Sequence, residues 1–197
     1  MAEYLEIRAL YDKDTITVYQ AYRKAIAEPA VKNNKFIEPF SFNRMTWIKP
    51  SFLWMMERSN WANKSGQEYI LGIKIKRDGF EKALLSGILT APDKSVYKNE
   101  EEWERLFKNA KIYIQWDPER DINGNKLEYR SIQIGISRFM IKEFNDEWIV
   151  EINDISSLVR KMYGLIRNGN KEKAKLFLPN EKIYPLCAEI KNKLGIK

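Results

Sequence analysis

The sequence contains no histidine and a single cysteine, Cys187, among its 197 residues. Catalysis by Ser-His-Asp or Cys-His groups and zinc sites built on histidine are therefore excluded. One thiol cannot form an intramolecular disulfide or a cysteine metal cluster. Any proton transfer must use Asp, Glu, Tyr, Lys or water.

Long apolar runs and glycine-rich phosphate loops are also missing. No stretch approaches the roughly 18 apolar residues of a membrane span. The N-terminus, MAEYLEIRAL, has no basic segment followed by an apolar run. We therefore expect a cytoplasmic protein without a membrane partner. Neither GxGxxG nor GxxxxGK[ST] occurs, which excludes the standard dinucleotide and P-loop phosphate cradles.

Positive charge and aromatic residues are abundant instead. The formal net charge is +7, the isoelectric point is about 9.3, and 13% of the residues are aromatic. Between Arg44 and Arg77, seven basic residues stand against only Glu57 and Glu68. This excess favours an anionic partner, such as DNA, RNA or a phosphorylated cofactor. Simple surface solubility is the alternative that composition leaves open.

Hydrophobic periodicity and turn residues predict mixed helices and strands without a regular alternation. Strands are expected over residues 4–10, 69–76, 111–116, 129–136 and 147–152. Helices are expected over residues 15–27, 50–61, 80–85, 100–108, 154–166, 171–177 and 181–194. The pattern predicts one α+β domain over residues 1–197, with a mostly antiparallel or split sheet flanked by helices.

The segment RMTWIKPSFLWMMERSNW, residues 44–61, interleaves three tryptophans and three methionines with basic residues. A helix starting at Pro50 would place Arg58 between the rings of Trp54 and Trp61. A guanidinium held in this way grips phosphate or carboxylate with two parallel hydrogen bonds. The alternative is a buried helix whose arginine pairs with an internal acid.

The second polar segment is QWDPER, residues 115–120, at the end of a predicted strand. We expect Pro118 to end the strand and to leave Asp117 and Glu119 on a loop at the rim of the sheet. On the next strand, Ser131 and Gln133 should share one side. A loop closed by an ion pair between Asp117 and Arg120 is the alternative.

These motifs, together with RALYDKDTITVYQAY upstream and YRSIQIGI downstream, resemble the family known as the domain of unknown function DUF4291 over nearly the whole chain. The resemblance supplies no activity. Its motif positions correspond to Arg8, Tyr11, Asp12, Tyr19, Gln20, Arg44, Thr46, Trp47, Lys49, Ser51, Arg58, Ser59, Trp61, Gln115, Asp117, Glu119, Arg120, Arg130 and Gln133.

The order of the motifs is also similar to that of the ADP-ribosyltransferase-like proteins, with Arg8 on an early strand and Gln133 on a late one. That resemblance implies transfer of ADP-ribose from NAD to nucleic acid or another macromolecule. An obvious late glutamate is missing, so the implied catalytic residues are Asp117, Glu119 and Gln133. The implied cofactor-binding residues are Arg8, Tyr19, Arg44, Lys49, Ser51, Trp54, Arg58 and Trp61.

Two other functions fit the same residues. Basic side chains interleaved with aromatic rings are typical of modules that bind single-stranded nucleic acid without catalysis. Alternatively, Asp117 and Glu119, with Asp12 or Asp121, would hold magnesium in a phosphodiesterase.

Overall fold

The computed structural model describes residues 4–197, and its mixture of strands and helices confirms the predicted α+β class. The strands are β1 (Tyr4–Leu5), β2 (Arg8–Ala9), β3 (Thr15–Tyr22), β4 (Thr46–Ile48), β5 (Tyr69–Lys76), β6 (Gly87–Leu89), β7 (Ile112–Arg120), β8 (Lys126–Ile136), β9 (Ile149–Asp154) and β10 (Lys182–Ile183). The helices are α1 (Lys24–Asn33), α2 (Phe52–Ser59), α3 (Arg77–Ser86), α4 (Glu100–Lys108), α5 (Ile141–Glu143), α6 (Ser156–Arg167), α7 (Lys171–Lys175) and α8 (Ala188–Leu194), with a π-helical turn at Phe144–Trp148 after α5.

The strands form two principal sheets. The larger has the order β1-β8-β7-β6, with β4 also paired to β8, and the smaller is the antiparallel sheet β3-β5-β9. In the larger sheet β1 and β6 run parallel to their neighbours, and the remaining pairs are antiparallel. A single bridge between Tyr19 of β3 and Lys49, just after β4, joins the two sheets. The functional residues gather around this junction.

The helix predicted over residues 15–27 is wrong, because residues 15–22 form β3 and the helix begins only at Lys24. The sequence TITVYQAY is rich in β-branched and aromatic residues, which suit a strand. It also pairs along its whole length with β5, from Thr15 opposite Lys76 to Tyr22 opposite Tyr69. Tertiary pairing therefore outweighs the weak helical periodicity.

The loop predicted at QWDPER is also wrong, because β7 continues to Arg120 and places Asp117 and Glu119 within the strand. Pro118 is tolerated since β6 pairs only with Ile112–Ile114 of β7, so that the proline lies beyond the covered part of this edge. Asp121 then closes a tight turn by accepting backbone N–H bonds from the two residues Asn123 and Asn125.

Helix α2 occurs where the sequence predicts a helix, and its packing decides which side chains face outward. Phe52, Met55 and Met56 are buried against Val159 and Met162 of α6. The strand β5 and the helix α4 have their predicted bounds. At the C-terminus the predicted helix 181–194 is shorter, because Pro185 lies between β10 and the start of α8.

Candidate functional site

A cleft of about 570 Å³ opens beside the junction of the two sheets. Its walls come from β3, β4, the loop of residues 39–45, α2 and the turn at residues 66–67. Four basic residues line it, and no aspartate or glutamate is found among the described residues of its wall. The full lining is Gln20, Ala21, Tyr22, Arg23, Ile26, Pro39, Phe40, Ser41, Arg44, Met45, Thr46, Trp47, Lys49, Met55, Arg58, Gly66 and Gln67. We call this the cationic cleft.

Lys49 is the buried cation of the cleft. Its backbone exchanges two hydrogen bonds with Tyr19, of 2.7 and 3.3 Å, and its side chain is only 7% exposed. The ammonium nitrogen Nζ lies 5.0 Å from the ring centroid of Trp54. Burial and, to a smaller extent, the charge of Arg58 lower the pKa of Lys49 to about 7, while Asp117 opposes the shift. Within residues 4–197 this amine has no salt bridge or hydrogen bond.

The other cations, Arg23, Arg44 and Arg58, stand at the exposed rim of the cleft. None of these three side chains forms a salt bridge or a hydrogen bond within the part of the chain that the structure describes. Exposed arginines without a carboxylate partner leave their N–H donors to water or to a ligand.

The predicted stack of Arg58 between two indoles does not form. Asn60 and Trp61 have φ angles of 49° and 52°, which end α2 at Ser59 and turn Trp61 off the helical path. Trp61 stacks on Tyr163 instead, with ring centroids 6.2 Å apart. Trp54 faces Lys49 rather than Arg58.

Gln20 provides a buried polar group on the wall of the cleft. Its amide Nε2 donates to Thr46 Oγ1 at 2.6 Å and to the carbonyl oxygen of Trp47 at 2.9 Å. Because a carbonyl can only accept, these bonds fix which end of the amide is the donor. The oxygen Oε1 is buried and has no hydrogen-bond partner among residues 4–197. An unpaired acceptor of this kind is costly, and a ligand N–H or O–H would satisfy it.

The polar face of the β7–β8 hairpin carries Asp117, whose charge acts on Lys49. Asp117 accepts hydrogen bonds from Gln115 at 2.9 Å and from Gln133 at 2.7 Å. The strand register places Gln115 opposite Gln133 and Asp117 opposite Ser131, which brings these side chains to one face, as predicted for Ser131 and Gln133. The suggested pair of Asp117 with Arg120 does not form, since Arg120 donates to the carbonyl oxygen of Gly124.

Two glutamates, Glu119 and Glu181, lie around the start of α2, and we call them the acidic cluster. Glu119 is 4% exposed and is hydrogen-bonded by Ser51, Ser131 and the backbone N–H of Arg120. Glu181 accepts the backbone N–H of Phe52 at 2.7 Å. Burial raises the pKa of both carboxyl groups, to about 8 for Glu181, where the neighbouring charge of Glu119 adds to the effect.

The residues around the acidic cluster are held by partners within the protein. Ser51 caps α2 by accepting the N–H of Trp54. Arg8 pairs with Glu6 and lies over the ring of Tyr129 at 5.3 Å. Burial raises the pKa of the Tyr19 hydroxyl well above its usual range, so this phenol stays protonated.

The predicted site residues therefore divide into two groups. Arg44, Lys49 and Arg58 meet in the cationic cleft, whereas Arg8, Tyr19, Ser51, Trp54, Trp61, Asp117, Glu119 and Gln133 are absent from its lining. Sequence reasoning missed Arg23, which is the N-cap residue of α1, and Glu181, which was placed in a helix. Gln20 belonged to the resemblance without a role, and only the fold reveals its unpaired oxygen.

A magnesium centre built on Asp117 and Glu119 lacks ligands in the described chain. No group of three or more Asp, Glu, Cys or His side chains converges there in a way that would hold a metal ion. None of the helices within residues 4–197 is both long enough and apolar enough to cross a membrane.

The family profile described as "Domain of unknown function (DUF4291)" matches residues 6–184. The chain belongs to this family. A comparison with curated proteins gave no match. The matched region of DUF4291 contains the cationic cleft, the polar face of the hairpin and the acidic cluster.

Proposed function

We propose that the cationic cleft binds a phosphate-bearing small molecule of about nucleotide size. The observation that carries this proposal is the set of four basic residues without a carboxylate among the described residues of the wall. Ligand-binding clefts of roughly 300 to 1,000 Å³ hold ligands of this size, and the cleft measures about 570 Å³.

Lys49 provides an energetic reason for the cleft to bind an anion. Burying an amine without a counter-charge is unfavourable, and the lowered pKa of Lys49 is the expression of that cost. Phosphate entering the cleft would place negative charge beside the amine and accept bonds from the arginines at the rim. The ligand would restore the charge balance that the fold itself leaves open.

Gln20 adds a requirement for the uncharged part of the ligand. Its buried Oε1 accepts a hydrogen bond but offers none, so it favours a ligand that presents an N–H or O–H group near its phosphate. Of two phosphorylated compounds, the one that carries a hydroxyl or amide donor would therefore bind more tightly.

Transfer of ADP-ribose from NAD is the narrower form of this proposal. NAD carries a pyrophosphate for the cations and amide and hydroxyl donors for Gln20. Asp117 is the better candidate for a carboxylate acting on the ribose, because its charge acts on Lys49 while Glu119 is buried among internal partners. Gln133, which donates to Asp117, would position it.

The test is a thermal-unfolding screen of the protein with NAD, ADP, pyrophosphate and a short oligonucleotide. Arg58→Gln removes a rim cation, and Arg105→Gln, on the exposed face of α4, is the matched control. We expect NAD or ADP to raise the Tm of the wild type and the control by several degrees, and to raise that of Arg58→Gln much less.

The screen also separates the competing functions. Stabilisation by the oligonucleotide alone, falling steeply as salt is added, would replace this proposal with a nucleic-acid-binding module. Absence of any shift with millimolar anions would contradict the proposal altogether.

A further inference from the structure

Lys49 is placed differently from the other lysines for which contacts are described. Lys74, for example, is half exposed and forms a 2.7 Å salt bridge with Glu151. Lys49 is buried at the wall of a cleft wide enough for a substrate, with its amine against the ring of Trp54. The charged side chains that act on its amine are Arg58 of α2, which lowers its pKa, and Asp117 of β7, which raises it.

We propose that Lys49 is a nucleophile that forms an imine with the carbonyl carbon of a phosphate-bearing aldehyde or ketone bound in the cationic cleft. This inference rests on the proposed function, since the cations that bind the phosphate also place the carbonyl beside the amine. It assigns Lys49 a catalytic role in addition to anion binding.

The surroundings of Lys49 provide the two conditions that make a lysine nucleophilic. An amine reacts only when it is unprotonated, and both desolvation and a neighbouring cation favour the unprotonated form. Lys49 has the burial, and Arg58 is the cation. With a pKa of about 7, a substantial fraction of the amine is neutral near physiological pH, whereas an ordinary lysine is almost entirely charged.

The reaction balances without an oxidant or a metal ion. The Lys49 nitrogen attacks the carbonyl carbon, a C–N bond forms, and the C=O π bond breaks. A proton passes from the nitrogen to the oxygen and gives a carbinolamine. Loss of that hydroxyl group as water, together with loss of the second nitrogen proton, gives the C=N bond. Asp117 is the carboxylate that acts electrostatically on this amine, and it is our candidate for carrying the protons.

The test uses pyridoxal 5′-phosphate as the probe, because it combines an aldehyde with a phosphate. The protein is mixed with one equivalent of probe, reduced with borohydride, digested, and mapped by mass spectrometry across pH 5 to 10. We expect the adduct to form first at Lys49, with half-maximal labelling at a pH well below the pKa of an ordinary lysine, and with protection by excess pyrophosphate. Pyridoxal, which lacks the phosphate, should label Lys49 at least tenfold less.

Two substitutions serve as controls. Lys49→Arg keeps the positive charge but cannot form the imine, so the selective adduct should disappear. Lys74→Arg removes an exposed lysine and should leave the labelling of Lys49 unchanged. The pH profile and the pyrophosphate protection are measured on the wild type, so the test does not depend on the folding of Lys49→Arg.

The outcomes separate this inference from the function on which it rests. If pyrophosphate or ADP stabilises the protein but Lys49 is not labelled in preference to exposed lysines, the imine inference is wrong and anion binding stands. If no anion stabilises the protein and labelling spreads over the surface, both are wrong. Labelling of Lys49 that rises only towards pH 10, as for an ordinary lysine, would also contradict the proposal that Lys49 is an activated nucleophile.

Discussion

The cationic cleft and the acidic cluster lie on either side of the short segment from Lys49 to Ser51. They differ in whether their charged side chains have partners within the protein. Glu119 and Glu181 are hydrogen-bonded by side chains or backbone N–H groups of the protein. The side chains of Lys49 and Arg58 have no salt bridge or hydrogen bond within residues 4–197. Carboxyl groups with internal partners belong to the fold, whereas cations without them indicate a ligand.

The two regions should also respond to pH with opposite signs. Lys49 has a pKa lowered from 10.5 to about 7, so the unfolded chain binds more protons between these values and stability rises with pH across that window. Glu181 has a pKa raised from 4.5 to about 8, so the folded chain binds more protons and stability falls as pH rises from 4.5 to 8.

The largest effect is expected for Lys49→Met, which replaces a buried amine by an apolar side chain of similar length. This substitution tests whether Lys49 serves ligand binding or the stability of the fold. We expect binding of NAD or ADP to weaken roughly 10- to 100-fold, since a charged hydrogen-bonding group is lost. The free energy of unfolding should stay equal or increase near pH 7, because an unpaired buried charge is removed.

Calorimetric titration and chemical denaturation measure these two effects, with Lys108→Met on the exposed face of α4 as control. A large loss of stability together with unchanged binding would mean that Lys49 supports the fold. It would contradict the assignment of the cationic cleft to ligand binding.

A second substitution, Glu181→Gln, tests the acidic cluster. The glutamine oxygen can still accept the N–H of Phe52, but it never becomes charged. We expect the variant to lose the decline in stability between pH 4.5 and 8 and to be more stable than the wild type at pH 8 by on the order of 1 kcal/mol.

Denaturation curves at several pH values provide the measurement, and Glu189→Gln on the exposed face of α8 provides the control. A variant with the same pH dependence as the wild type would show that the Glu181 carboxyl titrates normally.

Ser51→Ala tests the boundary between the regions with a smaller expected effect. The hydroxyl caps α2 through the N–H of Trp54 and is hydrogen-bonded to Glu119. Loss of the cap should lower the free energy of unfolding by about 1 kcal/mol. The same substitution removes an interaction that lowers the pKa of Glu119, so this pKa should rise further.

Denaturation measured beside Ser86→Ala, at the exposed end of α3, tests the cap. Equal stability of the two variants would mean that Ser51 does not support the helix. Binding of NAD or ADP should change little, because Ser51 does not line the cleft.

The smallest expected effect is on the charge of Lys49 in Arg58→Gln. Removing the guanidinium should raise the pKa of Lys49, because Arg58 is one of the groups that lower it. The midpoint of pyridoxal 5′-phosphate labelling should therefore move to higher pH, while it should stay in place in Arg105→Gln. An unchanged midpoint would mean that burial alone sets the reactivity.

Part of this architecture could be predicted from the sequence. The strand β5 and the helix α4 have strong local patterns, and their bounds match the prediction. For β3 the local pattern was misleading, because eight cross-strand pairs with β5 decide its conformation. The hairpin is longer than predicted because the edge of β7 beyond Ile114 tolerates Pro118. Pairing partners are distant in sequence, and local patterns do not reveal them.

The candidate site was predictable to a similar degree. The density of basic residues near the segment of residues 44–61 predicts an anion-binding site, and in the structure Arg44, Lys49 and Arg58 line one cleft. The sequence does not show that Glu181 approaches Glu119, or that Arg23 joins the rim, because these contacts depend on how distant segments pack. The same holds for the environment of Lys49, which arises from the junction with Tyr19.

The most direct measurement is the titration of the Lys49 amine itself, by NMR of protein labelled with ¹³C at lysine Cε and assigned with Lys49→Arg. We expect a midpoint near pH 7 in the free protein, because burial and Arg58 lower the pKa of Lys49 to about 7. We also expect an upward shift when ADP is added, since a bound phosphate stabilises the charged amine. A midpoint above pH 10 that ADP does not move would contradict both the buried, unpaired cation and the phosphate-binding cleft.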